Sequence, residues 1–117
     1  MSIIGNVGIL TMDVGAVGVN TVVFDFTNRI AVSAFSIHNT QALNRQVSIY
    51  ASPDLTSSAG KRVAVYEFGP DESFDINEVI GQGYPASENV IVVQDTAGGV
   101  SGDLNLKLTY TNYTGGS

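Results

Sequence analysis

The feature that most constrains this chain is an alternation of period two that restarts several times along it. Asp103 to Tyr113 carries it most cleanly: Leu104, Leu106, Leu108 and Tyr110 fall on one side, Asn105, Lys107, Thr109 and Thr111 on the other. Successive side chains of a strand point to opposite faces, so the pattern predicts an amphipathic strand with one face in a core. Asn20 to Thr27 repeats it with Val22, Phe24 and Phe26, and Gln46 to Ala51 with Val47, Ile49 and Ala51. Arg62 to Phe68 sets Val63 and Val65 against Ala64, Tyr66 and Phe68. Phe74 to Ile80 predicts a further strand, although Glu78 interrupts its apolar side. Glu88 to Gln94 is a short β-branched run. Arg29 to His38 is β-branched and aromatic without clean alternation, which predicts a central strand covered on both sides.

Turn chemistry separates these segments: SPDLTSSAG from Ser52 to Gly60, Gly69-Pro70-Asp71, and AGGVSG from Ala97 to Gly102. No window carries apolar residues at helical spacing over three turns, and strand centres recur at the interval typical of sandwiches and barrels. The expected fold is all-β, a two-sheet β-sandwich of jelly-roll or Ig-like type with seven to eight antiparallel strands. A length of 117 residues suits one core. Residues 1–19 differ in kind, because glycines at 5, 8, 15 and 18 are spaced by Ile, Val, Leu and Met. They form either an N-terminal extended arm or a first strand, with 20–117 as the sandwich domain. As an arm, Ile3, Ile4, Val7, Ile9, Leu10, Met12, Val14, Val17 and Val19 are candidate partner-binding residues.

Charge narrows the function. Five basic residues against eleven acidic ones give a net charge of −6, leaving no basic footprint for a nucleic acid. Cysteine is absent, which removes disulfides, thiol nucleophiles and Cys-ligated zinc. The N-terminal stretch has no basic residue before it and is broken by Asp13 and glycines, unlike a signal peptide or a membrane span. A soluble chain made in the cytoplasm is expected. Charged residues make up only 14% of the sequence, so much of the surface is uncharged.

No catalytic constellation stands out. His38, the one histidine, has no acid and nucleophile beside it in sequence, as general-base catalysis would need. Glu67, Asp71, Glu72, Asp75 and Glu78 crowd one stretch, but their spacing departs from a calcium loop, with Val79 where a ligand should follow Asp75 and Asn77. Gly81-Gln-Gly83 and Gly98-Gly99 are turns, since neither opens a phosphate-binding helix. Asn112-Tyr113-Thr114 matches a glycosylation triplet by chance. No cofactor or metal is implied. Of the five tyrosines, Tyr84, Tyr110 and Tyr113 are candidates for contact with a partner, where tyrosine offers a large rigid area and a polar tip.

From about Arg29 to Gln94 the order of elements resembles small virion proteins of tailed bacteriophages. A β-branched strand ends in a polar Asn turn (IAVSAFSIHNTQALNRQVSIYA); a Gly-Pro-acidic turn (FGPDESFDI) and a glycine-containing turn before a hydrophobic strand (GQGYPASENVIVV) follow. The resemblance is to jelly-roll or Ig-like capsid decoration (cement) proteins and head or tail accessory proteins. It implies a non-enzymatic subunit in the virion that docks on a major capsid protein or another virion protein, often as a homotrimer. Two other readings stay open: a glycan- or receptor-binding sandwich using its tyrosines, and a small hydrolase with a carboxylate pair.

Overall fold

The computed structural model describes residues 4–24, 29–85 and 88–114. These residues form nine strands: β1 (Ile4–Asp13), β2 (Thr21–Val22), β3 (Arg29–Asn39), β4 (Arg45–Ser52), β5 (Lys61–Phe68), β6 (Ser73–Asp75), β7 (Gly83–Tyr84), β8 (Asn89–Gln94) and β9 (Leu104–Thr114). One sheet runs β1-β9-β3-β6, with β7 also paired to β3, and the other runs β2-β8-β4-β5. Every pairing is antiparallel. The first strand lies beside the last, and apart from the short β7 each sheet holds four strands. That wiring is two Greek keys folded over one another, the jelly roll. Of the two sandwich types compatible with the sequence, the chain adopts this one.

Alternation supplies the core. Leu104, Leu106 and Leu108 of β9 and Ile30, Val32, Phe35 and Ile37 of β3 face Val47 and Ile49 of β4 and Val90 and Val92 of β8, all buried in one cluster. Burying a side chain of this size stabilises the fold by about 1.5–3 kcal/mol. Phe68 and Phe74 meet with ring centroids 5.2 Å apart, and Tyr66 joins Phe74 at 5.8 Å. These rings fasten the β5 edge of one sheet to the β6 edge of the other.

Three segments differ from the sequence reading. β3 is central, between β9 and β6, but its missing alternation comes from a β-bulge rather than from cover on both faces. Val32 pairs with Tyr110 and Ala34 with Thr109, leaving Ser33 as the extra residue, and its hydroxyl donates to Thr109 O at 3.1 Å. Ile30 and Val32 before the bulge and Phe35 and Ile37 after it therefore share the inner face. Phe74–Ile80 is a strand only as far as Asp75. Beyond it Ile80 N donates to Ile76 O, a single helical turn that suits apolar residues at 76, 79 and 80; Ile76 and Val79 are buried. The strand expected over Asn20–Thr27 is reduced to β2, followed by buried Val23 and Phe24; Asp25, Phe26 and Thr27 lie outside the described residues.

Residues 4–13 form β1, paired along its length with β9 from Ile4 opposite Thr114 to Asp13 opposite Asn105. Gly8 has a steric reason. It sits opposite Tyr110, and a Cβ there would lie 2.5 Å from the tyrosine ring.

Candidate interaction surface

The outer face of the β1-β9-β3-β6 sheet follows from parity. Leu10 and Met12 point inward with Leu106 and Leu108, so Val7, Ile9, Thr11 and Asp13 point out beside Thr111, Thr109, Lys107 and Asn105. Val7 is 75% exposed and Ile9 66%. Their cross-strand neighbours are threonines, with Ala31 and Ala34 on β3 beyond them, so the stretch around Val7 and Ile9 is uncharged and carries small side chains. Tyr113 lies outward next to Gly5, and the Arg29 guanidinium stacks over its ring at 5.2 Å. Tyrosine and arginine are the residue types on this face that concentrate binding energy at protein interfaces.

The edge of this face is also open. Val14 N donates to Leu104 O at 2.9 Å; by the alternation of an antiparallel ladder, the even-numbered residues of β1 turn their main-chain groups to β9 and the odd-numbered ones turn theirs away. Among the described residues no strand pairs with that second edge.

The other end of the face is polar. A shallow groove of about 670 Å³ is lined there by Thr11, Met12, Asp13, Ser36, His38, Asn105, Leu106 and Lys107. At its border the fold brings His38 the two groups it lacks in sequence: Ser73 Oγ lies 2.5 Å from Nδ1, and Asp71 Oδ1 3.0 Å from Nε2. Asp71 is the one non-glycine residue with positive φ among those described, at 57°, a conformation that aspartate tolerates better than most residues. The trio has the members of an acyl-transfer triad without its setting. Asp71 is 84% exposed, so water screens the charge that would have to hold an imidazolium. Since His38 is the cross-strand partner of Ser73, the contacts tie β6 to β3.

The twelve residues expected to meet a partner do not stay together. Val7, Ile9 and Tyr113 share the outer face, while Val17 and Val19 are exposed in the loop after β1. Val14 is a correction: it is fully buried, because the alternation of β1 carries on past Asp13 and turns it inward. Tyr84 is another, 6% exposed and packed on Phe24 with centroids 5.3 Å apart. Leu10, Met12 and Tyr110 pack against the core. Ile4 is placed by its backbone pairing, and Ile3 lies outside the described residues. Arg29 was missed; its signal was its position opposite a tyrosine, which needs the register.

The acidic stretch is divided among local tasks. Glu72 accepts from Gly69 N, Glu78 accepts from Tyr66 Oη, and Asp71 meets His38. No group of three His, Asp or Glu side chains among the described residues converges on a common point. Glu67 and Asp95 border a hollow of about 200 Å³, where Asp95 accepts from Ser48 Oγ at 2.5 Å. The Tyr84 hydroxyl is pushed up to about 12 by burial and then by the Glu88 charge. Tyr66 is also pushed up to about 12, by burial first and then by its bond to Glu78. Asp54 is held below the usual carboxylate range by hydrogen bonds from Thr56, first its backbone N–H.

No family model matches the chain, and no curated protein matches it. Among solved structures it is similar to the infectious bursal disease virus Gx strain (17% identity, 97% of this chain and 33% of that one, TM-score 0.46). It is similar also to the T13 particle of that virus (13% identity, 92% and 30%, TM-score 0.46) and to the Gt strain (17% identity, 96% and 32%, TM-score 0.31). The chain spans about a third of the length of the structures it matches. These are likenesses of outline, and the fold assignment rests on the strand order instead.

Proposed function

We propose that the chain is a structural virion protein, a decoration or cement subunit that binds an assembled protein shell and acts by adhesion rather than catalysis. The observation that carries this reading is the outer face on which exposed Val7 and Ile9 of β1 stand beside the Arg29–Tyr113 stack, where a partner protein would find a large rigid ring and a cation. The resemblance of Arg29–Gln94 to phage virion proteins points the same way and implies a trimer on the shell; a place among head or tail accessory proteins fits the same surface. The jelly roll itself serves capsids, lectins and cupins alike, so it does not choose between them.

In virions purified from the source culture, the chain is expected in constant ratio to the major shell protein. Its absence from such particles would remove the reading. A glycan-binding module is the alternative, and Tyr113 is the ring left for it, since Tyr84 and Tyr110 pack inward. Specific glycan-array binding that Tyr113→Ala abolishes would favour that alternative.

A further inference from the structure

We infer that the open edge of β1 pairs antiparallel with β1 of a second copy of this chain, joining two jelly rolls through one continuous sheet. The contact stands on the geometry of the edge and does not depend on the virion reading.

The main-chain groups that face outward belong to Gly5, Val7, Ile9 and Thr11. In an antiparallel pair such groups meet their like, odd-numbered residue opposite odd-numbered residue. A two-fold axis through Ile9 sets Ile9 against Ile9, Val7 against Thr11 and Gly5 against Asp13, and it pairs nearly the whole strand. The exposed side chains of Val7 and Ile9 from both copies then form one apolar seam on the outer face.

Charge selects this occupant. Asp13 is the only charged residue of β1, and in this register it falls opposite Gly5, which has no side chain, so no like charges meet. Beyond Gly5 in the same cross-strand row stands Tyr113, with Arg29 stacked on it. Asp13 of the second copy would sit about 10 Å from Tyr113, two strand spacings away, with the Arg29 guanidinium stacked on that ring as the cation of the same cross-strand row. The two-fold repeats this attraction at both ends of the seam. An isologous contact of this kind closes on itself and uses up the edge.

The chain has no cysteine, so one engineered thiol reports the register. Ile9→Cys, on the axis, is expected to be joined to its copy by a short bifunctional thiol reagent, because the paired side chains stand about 5.5 Å apart; Val7→Cys, whose copies lie roughly 13 Å apart along the strands, is not. Light scattering of the intact chain is expected to give the mass of two chains as concentration rises. Ile9→Lys, at an exposed position, is expected to return it to one chain that melts as the wild type does at concentrations where it is a single chain, and Thr11→Lys serves as a second variant should the first not fold. A mass of one or three chains at all concentrations, or a two-chain mass that both lysine variants leave intact, would overturn the inference. Two-chain mass without the chain in virions would leave this contact standing and remove the virion reading; the converse result would do the opposite.

Discussion

The two long edge strands of the molecule, β1 and β5, are built on opposite plans. β5 carries Lys61, Arg62 and Glu67, and its pairing with β4 slips between Ile49 and Tyr50, leaving Val63 as an extra residue. Charge and a bulge are the usual means of keeping a strand edge from pairing with another molecule. β1 has neither. It pairs in unbroken register for ten residues and is uncharged up to Asp13. One molecule thus holds a guarded edge and an unguarded one, so general insolubility does not explain β1. Anchorage differs as well: β5 drives Phe68 fully into the core, whereas the inward Leu10 and Met12 of β1 are only partly buried.

The contrast is broken most forcefully through that anchor. Phe68→Ala is expected to cost about 3–5 kcal/mol, against about 2 kcal/mol for Leu10→Ala because its burial is partial; denaturant melts of the two variants check the order. Alkaline titration comes next. Tyr84 has a folded pKa of about 12 against an ordinary 10.0, so the fold prefers the neutral phenol. Its contribution is complete below pH 10 and is lost as the pH rises through 12, amounting to about 2–3 kcal/mol. Tyr66 shifts the same way on β5, so alkali is expected to loosen both sheets, which circular dichroism followed from about pH 9 to 12 checks.

Gly8→Ala is expected to cost about 1–2 kcal/mol, since its Cβ would run into the Tyr110 ring; Tyr110→Ala in the same chain should absorb much of that cost. The smallest stability change belongs to the guards. Replacing Lys61, Arg62 and Glu67 together by threonine should move the melt by no more than about 0.5 kcal/mol, yet create a second self-associating edge visible by light scattering.

Strand existence was legible because alternation is a local property of the chain, and β4, β5, β8 and β9 fall where the pattern places them. What the pattern cannot carry is anything set by a partner strand. The bulge at Ser33 erased the alternation of β3 and imitated a doubly covered strand. Ile76, Val79 and Ile80 fit a strand face or one helical turn equally well at that length. The meeting of His38 with Ser73 and Asp71 depends on the β3–β6 register, which no stretch of sequence encodes by itself. For the surface, Val7 and Ile9 are exposed, but Val14, one residue past outward-facing Asp13, belongs to the core. Removing residues 1–19 would therefore strip an integral strand from the sheet, and exchanging single outward side chains is the cleaner probe of binding.

The pairing of β1 with β9 also has a consequence in time. Asp13 waits for Asn105 and Ile4 for Thr114 before either finds its place, so this ladder joins residues far apart in sequence and forms late, after its loop-closure entropy is met. While the ribosome is still making the middle of the chain, β1 has both edges open and no native mate. The strand that leaves an edge free in the finished molecule is therefore also the one that stays longest without its mate during synthesis.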